Sequence, residues 1–333
     1  MVTQITVEDA LKKENIQFID TRTPNEFAED HLPKAVNIPL LSNEERAIIG
    51  LLYKQTSREK AIEKGVELFS PKLPVFLSQI NKHRSKKMII HCWRGGMRSR
   101  TVTTLLEMCG YDVLQLIGGY KEYRKYVRER LADYELKPKL VVLWGLTCSG
   151  KTELLQEIEN AIDLEGLAQH RGSLFGKIGL LPKSQKLFDN LVLQKLDSLQ
   201  NEKVIFIEGE SRKIGDVQIP LFLWKRMKNA IDVKIVRSIE KRVECALETY
   251  KGTKENDEEL KQIISNLREK MSNKRKQELI YFIDDKKYAD VAKILLEEYY
   301  DPLYKHTLDQ HKCTHEINND NVGKAKGELL KLF

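Results

Sequence analysis

Residues 140–152 constrain the fold of this chain more than any other stretch. Leu140 to Trp144 has the apolar pattern of a buried strand. Gly145-Leu146-Thr147-Cys148-Ser149-Gly150-Lys151-Thr152 follows at once, and Glu153 to Ala161 continues with a helical pattern. The octet is a complete G-x-x-x-x-G-K-[ST] phosphate loop in the strand–loop–helix setting that such a loop requires. Gly145 and Gly150 let the backbone wrap a phosphate, with Ser149 inside the wrap. Lys151 reaches the terminal phosphate oxygens, and the Thr152 hydroxyl can hold Mg²⁺. Cys148 takes a variable position and reads as filler. Val204-Ile205-Phe206-Ile207 and Val233-Lys234-Ile235-Val236 are further buried strands, so this part is a parallel α/β unit. Beyond it the chain turns helical, with apolar faces at Ile239, Val243, Ala246, Leu247 and Tyr250, then at Leu260, Ile263, Ile264, Leu267 and Met271.

Two polar runs near this loop call for a ligand. Glu208 ends the Val204–Ile207 strand and could share the metal role with Thr152, with Glu210 as the alternate; an aspartate is the commoner residue there. Glu208-Gly209-Glu210-Ser211-Arg212 is dense in polar groups directly after a buried strand, as is His170-Arg171-Gly172-Ser173. His170, Arg171, Gly172, Ser173, Glu208, Glu210, Ser211 and Arg212 are therefore substrate-site candidates.

The first part of the chain alternates short apolar strands with helical stretches: Phe18–Asp20, Ala35–Ile38, Met88–His91 and Val113–Leu116. A helical insertion spans about Ser42 to Gln79. After the Met88–His91 strand comes Cys92-Trp93-Arg94-Gly95-Gly96-Met97-Arg98, with a helix expected from near Ser99. A reactive cysteine must reach the thiolate form and needs an electropositive setting. Backbone N–H groups of a Gly95-Gly96 loop and a helix N-terminus can cradle an anion. Arg94 and Arg98 add charge, and one such charge within about 4–6 Å lowers an acid's pKa by about 1–3 units. Cys92 is thus the candidate nucleophile, while Asp20 and Arg22 read as a charge pair holding the loop scaffold.

Asp20-Thr21-Arg22-Thr23-Pro24-Asn25-Glu26-Phe27 and His31 to Pro39 resemble the opening of the rhodanese family. Cys92 to Ser99, Gly110-Tyr111 and Leu116 to Tyr120 resemble its active-site half. That resemblance covers residues 1 to about 130 and implies that Cys92 carries a persulfide or perselenide. Its pairing with a phosphate loop, together with Leu164–Ala168, His170–Ser173, Glu208–Gly215 and Tyr300–Tyr304, resembles the tRNA 2-selenouridine synthase family over nearly the whole chain. The resemblance implies a tRNA bearing wobble 2-thiouridine as partner. It also implies two activities: S-geranylation with geranyl diphosphate, then replacement of the geranylthio group by selenium from selenophosphate. A selenophosphate-producing enzyme would be a further partner. No tightly bound cofactor is expected, Mg²⁺ apart.

The fold expected is α/β throughout: a rhodanese-like parallel α/β domain at 1–131, a polar linker at 132–139, and a P-loop NTPase-like α/β domain with a helical C-terminal part at 140–333. The 333 residues include 41% hydrophobic and 32% charged residues, ample for two cores. Apolar runs are too short for a membrane span. Met1 to Glu14 lacks an apolar signal region, and five cysteines without C-x-x-C spacing suggest a reduced, cytosolic compartment. A net charge of +7 permits RNA as a partner. Lys121, Arg124, Lys125 and Arg128 share a helix face, interleaved with Tyr120, Tyr123 and Tyr126, and are candidates for the tRNA backbone. Arg268, Lys270, Lys274, Arg275 and Lys276 form a second basic cluster. Two other readings remain at this stage: a thiosulfate sulfurtransferase fused to an ATP-dependent small-molecule kinase, and a non-catalytic tRNA-binding sulfur carrier.

Overall fold

The computed structural model describes residues 2–173, 175–250, 254–267 and 271–333. Arg268 and Lys270 of the second basic cluster lie outside the described residues. The chain forms two compact units, Met1–Leu131 and Ala132–Phe333.

In the first unit, β1 (Gln4–Ile5), β2 (Ile16–Asp20), β3 (Val36–Asn37), β4 (Lys87–His91) and β5 (Val113–Leu116) form one sheet in the order β1-β5-β4-β2-β3. All its pairings are parallel. Met88, Ile89 and Ile90 of central β4 are fully buried, as a parallel strand covered on both faces demands. The chain steps outward from β2 to β3 on one side and from β4 to β5 on the other. The crevice between the C-terminal ends of β2 and β4 is therefore the topological switch point, where open α/β sheets bind ligands. Asp20 and Cys92 both sit there. The insertion is helical as expected, with helices at Asn43–Gln55, Arg58–Phe69 and Leu73–Asn81. The first is started by a capping box between Ser42 and Glu45. Ile49, Leu68, Phe69, Leu73 and Leu77 pack on a core of Ile19, Ile38, Met88 and Ile90.

In the second unit, β6 (Lys139–Trp144), β7 (Ala161–Ile162) and β8 (Val204–Glu208) precede a small antiparallel hairpin of β9 (Lys213–Ile214) and β10 (Val217–Gln218). β11 (Ile231–Val236) and β12 (His315–Asn318) complete a parallel sheet in the order β12-β11-β6-β8-β7. The phosphate loop leaves central β6 between β8 and β11, again a switch point.

Two expectations are corrected here. The helix after the loop is Lys151–Gln156 only, and Ala161 belongs to β7, paired with Phe206. Alanine favours helices, but the chance to pair with buried β8 overrides that preference. The region beyond β11 is not all helical, because β12 is an edge strand whose one buried residue is Ile317. Such a strand has no apolar run to betray it. Between the units, the helix of the first runs through Ala132 and β6 begins at Lys139. Leu260, Ile264, Leu267 and Met271 pack together with Leu279, Ile283 and Tyr299, so the helical part has its own core.

Candidate functional site

Cys92 leaves β4 and opens a loop that ends at Gly96, the N-cap of helix Met97–Met108. Met97 and Arg98 thus lie in the first helical turn, two residues earlier than the sequence suggested. No side chain caps this helix, so its first amide groups stay available to an anion. The Cys92 side chain is buried, and its Sγ lies 3.3 Å from Ser99 Oγ. Gln115 Nε2 steadies that hydroxyl (3.1 Å) and donates to the Gly95 carbonyl (2.8 Å). Gly119 closes the loop from the far side with φ +60°, where a Cβ would collide with the Cys92 carbonyl and the Gly95 nitrogen. Tyr120 and Lys121 then donate their amides to Cys92 O (2.9 Å) and Trp93 O (2.8 Å). Arg94 is exposed, whereas Arg98 is held by Glu26 at 3.3 Å.

Beneath the loop, Asp20 and Arg22 are wholly buried and joined at 2.6 Å. Arg22 also donates to the Asp30 carbonyl at 2.6 Å, and its guanidinium lies 3.8 Å from the Tyr120 ring centre. Burial opposes the charge on Asp20, yet His91 and Arg22 outweigh it and hold the carboxyl below its usual range. Burial in turn pushes His91 down, and its Nδ1 stands 3.8 Å from Asp20 against 2.6 Å for Arg22, so Arg22 is the closer partner. The pair therefore supports the loop and does not line it. Arg22→Met should leave Asp20 as an unpaired buried charge, costing about 3–5 kcal/mol. Denaturant unfolding followed by circular dichroism measures this, and an unchanged midpoint would remove the pair from the scaffold.

In the second unit, Gly150 takes φ +78° and Ser149 N donates to Leu146 O at 3.1 Å, which curls the phosphate loop. Lys151 Nζ donates to Gly145 O at 3.0 Å across the loop mouth. Two side chains outside the motif brace it and a third holds the helix that follows, and sequence reasoning missed them all. Fully buried Asn319 donates to the carbonyls of Ser149 and Gly150, each at 3.0 Å. Arg242 donates from Nε to Thr147 O at 2.9 Å while gripping Asp301 with its two terminal guanidinium nitrogens. Arg237 pairs with Glu153 at 3.0 Å. Asn319 sits in a polar run that looks like a surface turn, and Arg242 looks like one more charge on a helix. The Tyr300–Tyr304 motif was the only signal, through Asp301.

The loop opens on a cavity of about 1050 Å³. Of the candidates from the sequence, Lys151, Thr152, Arg171, Gly172, Ser173, Glu210, Ser211 and Arg212 line it. Trp144, Asp163, Glu165, Trp224 and His311 also line it and were not anticipated as site residues. Trp144 stacks on His311 with ring centres 3.6 Å apart, and Asp232 fixes both rings by hydrogen bonds of 2.8 and 3.0 Å.

Two candidates are absent from the cavity wall. His170 packs against Gly176 and Gly215, and its Nδ1 accepts the Gly172 amide at 3.2 Å. Burial pushes its pKa down, which suits that acceptor role. Glu208 is fully buried, and its Oε1 accepts the Glu165 amide at 2.7 Å. It is Glu165 whose Oε2 meets Thr152 Oγ1, at 3.4 Å. Glu208 thus supports the segment that presents Glu165, and the carboxylate next to Thr152 is Glu165. Burial holds Glu165, Glu208 and Glu210 above the usual carboxylate range. Neighbouring acids push Glu165 and Glu208 further, while Lys151 pulls Glu165 and Glu210 back. An acid-rich wall beside a threonine hydroxyl fits a divalent cation that takes its remaining oxygens from a phosphate ligand. Among the described residues, no three His, Cys, Asp or Glu side chains converge to hold a metal unaided. No described helix is long and apolar enough to cross a membrane.

Residues 138–325 match the family model described as tRNA 2-selenouridine synthase AAA domain, and residues 3–126 match the model of the rhodanese-like domain. The chain is 30% identical over 347 residues to the tRNA 2-selenouridine synthase of Hydrogenovibrio crunogenus, covering 94% of this chain and 95% of the relative. It is 31% identical over 352 residues to that of Pseudomonas syringae pv. syringae, covering 94% of each. A third relative of the same name, from a Sulfurovum species, is 31% identical over 332 residues, covering 89% of this chain and 90% of its own. A cysteine loop at one switch point, a phosphate loop at the other, and relatives matched along both units lead to one conclusion: the chain belongs to the tRNA 2-selenouridine synthase family.

Proposed function

We propose that this protein converts wobble 2-thiouridine of tRNA to 2-selenouridine in two steps, geranylation in the second unit and selenium exchange at Cys92. The observation that carries the reading is the cavity, which joins a braced phosphate loop to an apolar wall of Trp144, Trp224, Met227 and Leu308. Those two surfaces suit the two halves of a prenyl diphosphate. In the first step the thiocarbonyl sulfur attacks C1 of geranyl diphosphate. The S–C1 bond forms, the C1–O bond breaks, and the base gives up its N3 proton. Lys151 and the loop amides neutralise the departing diphosphate. Mg²⁺ held by Thr152 and Glu165 would add charge neutralisation there. In the second step selenium from selenophosphate, bound in the Cys92 loop, replaces the alkylthio group on C2. The C2–Se bond forms, the C2–S bond breaks and geranylthiol leaves with a proton; a water then breaks the Se–P bond, its oxygen leaving on phosphorus as phosphate and one of its protons returning to the base. Incubation of the protein with thiolated tRNA, geranyl diphosphate and selenophosphate in combinations, followed by mass spectrometry of wobble nucleosides, tests the scheme. Selenouridine formed without any geranylated intermediate, or phosphorylation of a metabolite by ATP, would replace it.

Binding of tRNA needs an exposed basic face, and helix Gly119–Ala132 offers one. Lys121, Lys125 and Arg128 are exposed and Arg124 is half-buried. Tyr120 and Tyr123 are core residues and do not interleave with this face; Tyr126 accepts a hydrogen bond from Arg130 at 2.6 Å. Lys125 is also engaged by Glu122 at 3.2 Å, which dilutes its contribution. The contact proposed is therefore with phosphates and involves no stacked bases. Lys121→Glu with Arg128→Glu should weaken tRNA binding and flatten its salt dependence by roughly one to two units of log–log slope. Filter binding over a salt series measures both, and unchanged values would leave this face as solvated surface.

A further inference from the structure

One side chain on the wall of the phosphate cavity is held as a proton acceptor. His311 Nδ1 lies 3.0 Å from Asp232 Oδ2, and Trp144 Nε1 donates to Oδ1 of the same carboxylate at 2.8 Å. A carboxylate only accepts, so Nδ1 carries the imidazole proton and Nε2 presents its lone pair. Among the described residues Nε2 has no hydrogen-bond partner, and His311 lines the cavity.

The ring is fixed as well as oriented. It stacks on Trp144 with an interplanar angle of 25°. Trp144 lies in turn against the backbone of Gly209, where a Cβ would collide with the indole. Asp232 belongs to β11, in register with Val142 of β6. Its carbonyl accepts the Thr314 amide at 2.9 Å and the Thr314 hydroxyl at 3.2 Å. Residues 311–314 are therefore tied to Asp232 at both ends. Trp144 directly precedes Gly145, so the imidazole stands beside the mouth of the phosphate loop.

We propose that His311 is the general base of the geranylation step and takes the N3 proton of 2-thiouridine. The role rests on the geranylation proposed above. There the base must lose a proton as its sulfur is alkylated, and the wall of Trp144, Trp224, Met227 and Leu308 has no lone pair suited to receive it. The N3–H bond breaks, the proton passes to His311 Nε2, and the electron pair moves through C2 to sulfur. Sulfur forms the S–C1 bond, the C1–O bond breaks, and diphosphate leaves with that pair. The imidazolium, balanced by the Asp232 carboxylate, gives its proton to water afterwards. The cavity's acids are placed for other work. Asp163 accepts the Gly166 amide at 2.7 Å, and Glu165, which meets Thr152, shares the space over Gly172 with Glu210.

The test is single-turnover geranylation of thiolated tRNA by the full-length protein at saturating geranyl diphosphate. His311→Phe keeps a ring on Trp144 without a basic nitrogen, and His311→Ala opens a space that free imidazole can enter. Both should be slower by about 10²–10⁴, the usual worth of a general base, with half-saturating geranyl diphosphate unchanged. Added imidazole should restore rate to the alanine variant and not to the phenylalanine variant. A full rate in the phenylalanine variant would reduce His311 to a stacking partner. A folded alanine variant that imidazole does not rescue would likewise overturn the role. If neither variant folds, diethyl pyrocarbonate on the unsubstituted protein decides. Modification mapped to His311 should track the loss of rate, and hydroxylamine should reverse both; a full rate with His311 modified overturns the role. An unsubstituted protein that forms no geranylated tRNA overturns the proposed function and this role with it. A geranylating protein indifferent to His311 overturns this role alone.

Discussion

Cys92→Ser should abolish selenouridine formation while geranylated tRNA accumulates. In geranylation the nucleophile is the base's own thiocarbonyl sulfur, so that step needs no enzyme cysteine. Selenium delivery is different, because a soft anion must be held and brought to C2 while the alkylthio group leaves. Alkylation first converts that sulfur into a better leaving group than a neutral thiocarbonyl. Cys92 is the cysteine in a loop built for an anion, with Gly119 and the helix Met97–Met108 closing around it. Serine preserves the contact to Ser99 and the packing, so a folding defect is not expected. Nucleoside analysis of tRNA incubated with the variant measures both products. Normal selenation would remove Cys92 from the chemistry, and loss of both products would mean that the steps cannot be separated.

Lys151→Ala should lower the rate of geranylation by about 10²–10³, the usual effect of losing one preorganised contact to charge that develops in the transition state. The fold should survive, since the recorded bond of Lys151 Nζ is to the loop carbonyl of Gly145 and the braces from Asn319 and Arg242 are independent of it. Selenation of tRNA geranylated beforehand should proceed normally. Single-turnover geranylation of thiolated tRNA gives the rate, and a full rate in the variant would detach the loop from this step.

The parts legible in the sequence were those with a strong local pattern. Val141 and Val142 in β6 and Ile89 and Ile90 in β4 are wholly buried and advertise their strands by continuous apolarity. The phosphate loop and the Cys92 loop were legible because their chemistry demands glycine at fixed spacing. What escaped depends on partners far along the chain. β7 is two residues long and is a strand only because β8 lies beside it. The last residue of β8, Glu208, points inward to the Glu165 amide, which leaves Glu165 as the carboxylate beside Thr152, and strand periodicity alone does not tell this. The aromatic interleaving at Tyr120 and Tyr123 had the spacing of a surface stripe but the packing of a core, with Tyr120 bonded to buried Asp30 at 2.9 Å.

The brace from Asn319 has a consequence for how the molecule comes into being. Its two hydrogen bonds reach Ser149 and Gly150 across 170 and 169 positions of sequence. The segment that bears Asn319 joins the sheet through β12 on β11, with Asn319 N bonded to Val236 O at 2.8 Å. A nascent chain emerging from the ribosome can therefore hold β6, the loop and β11 together and still lack the clamp on the loop carbonyls. Loop closure over so long a span is slow and comes late. The clamp on the loop carbonyls is thus gained only once Asn319 has been made and β12 has joined β11, long after the loop itself has left the ribosome.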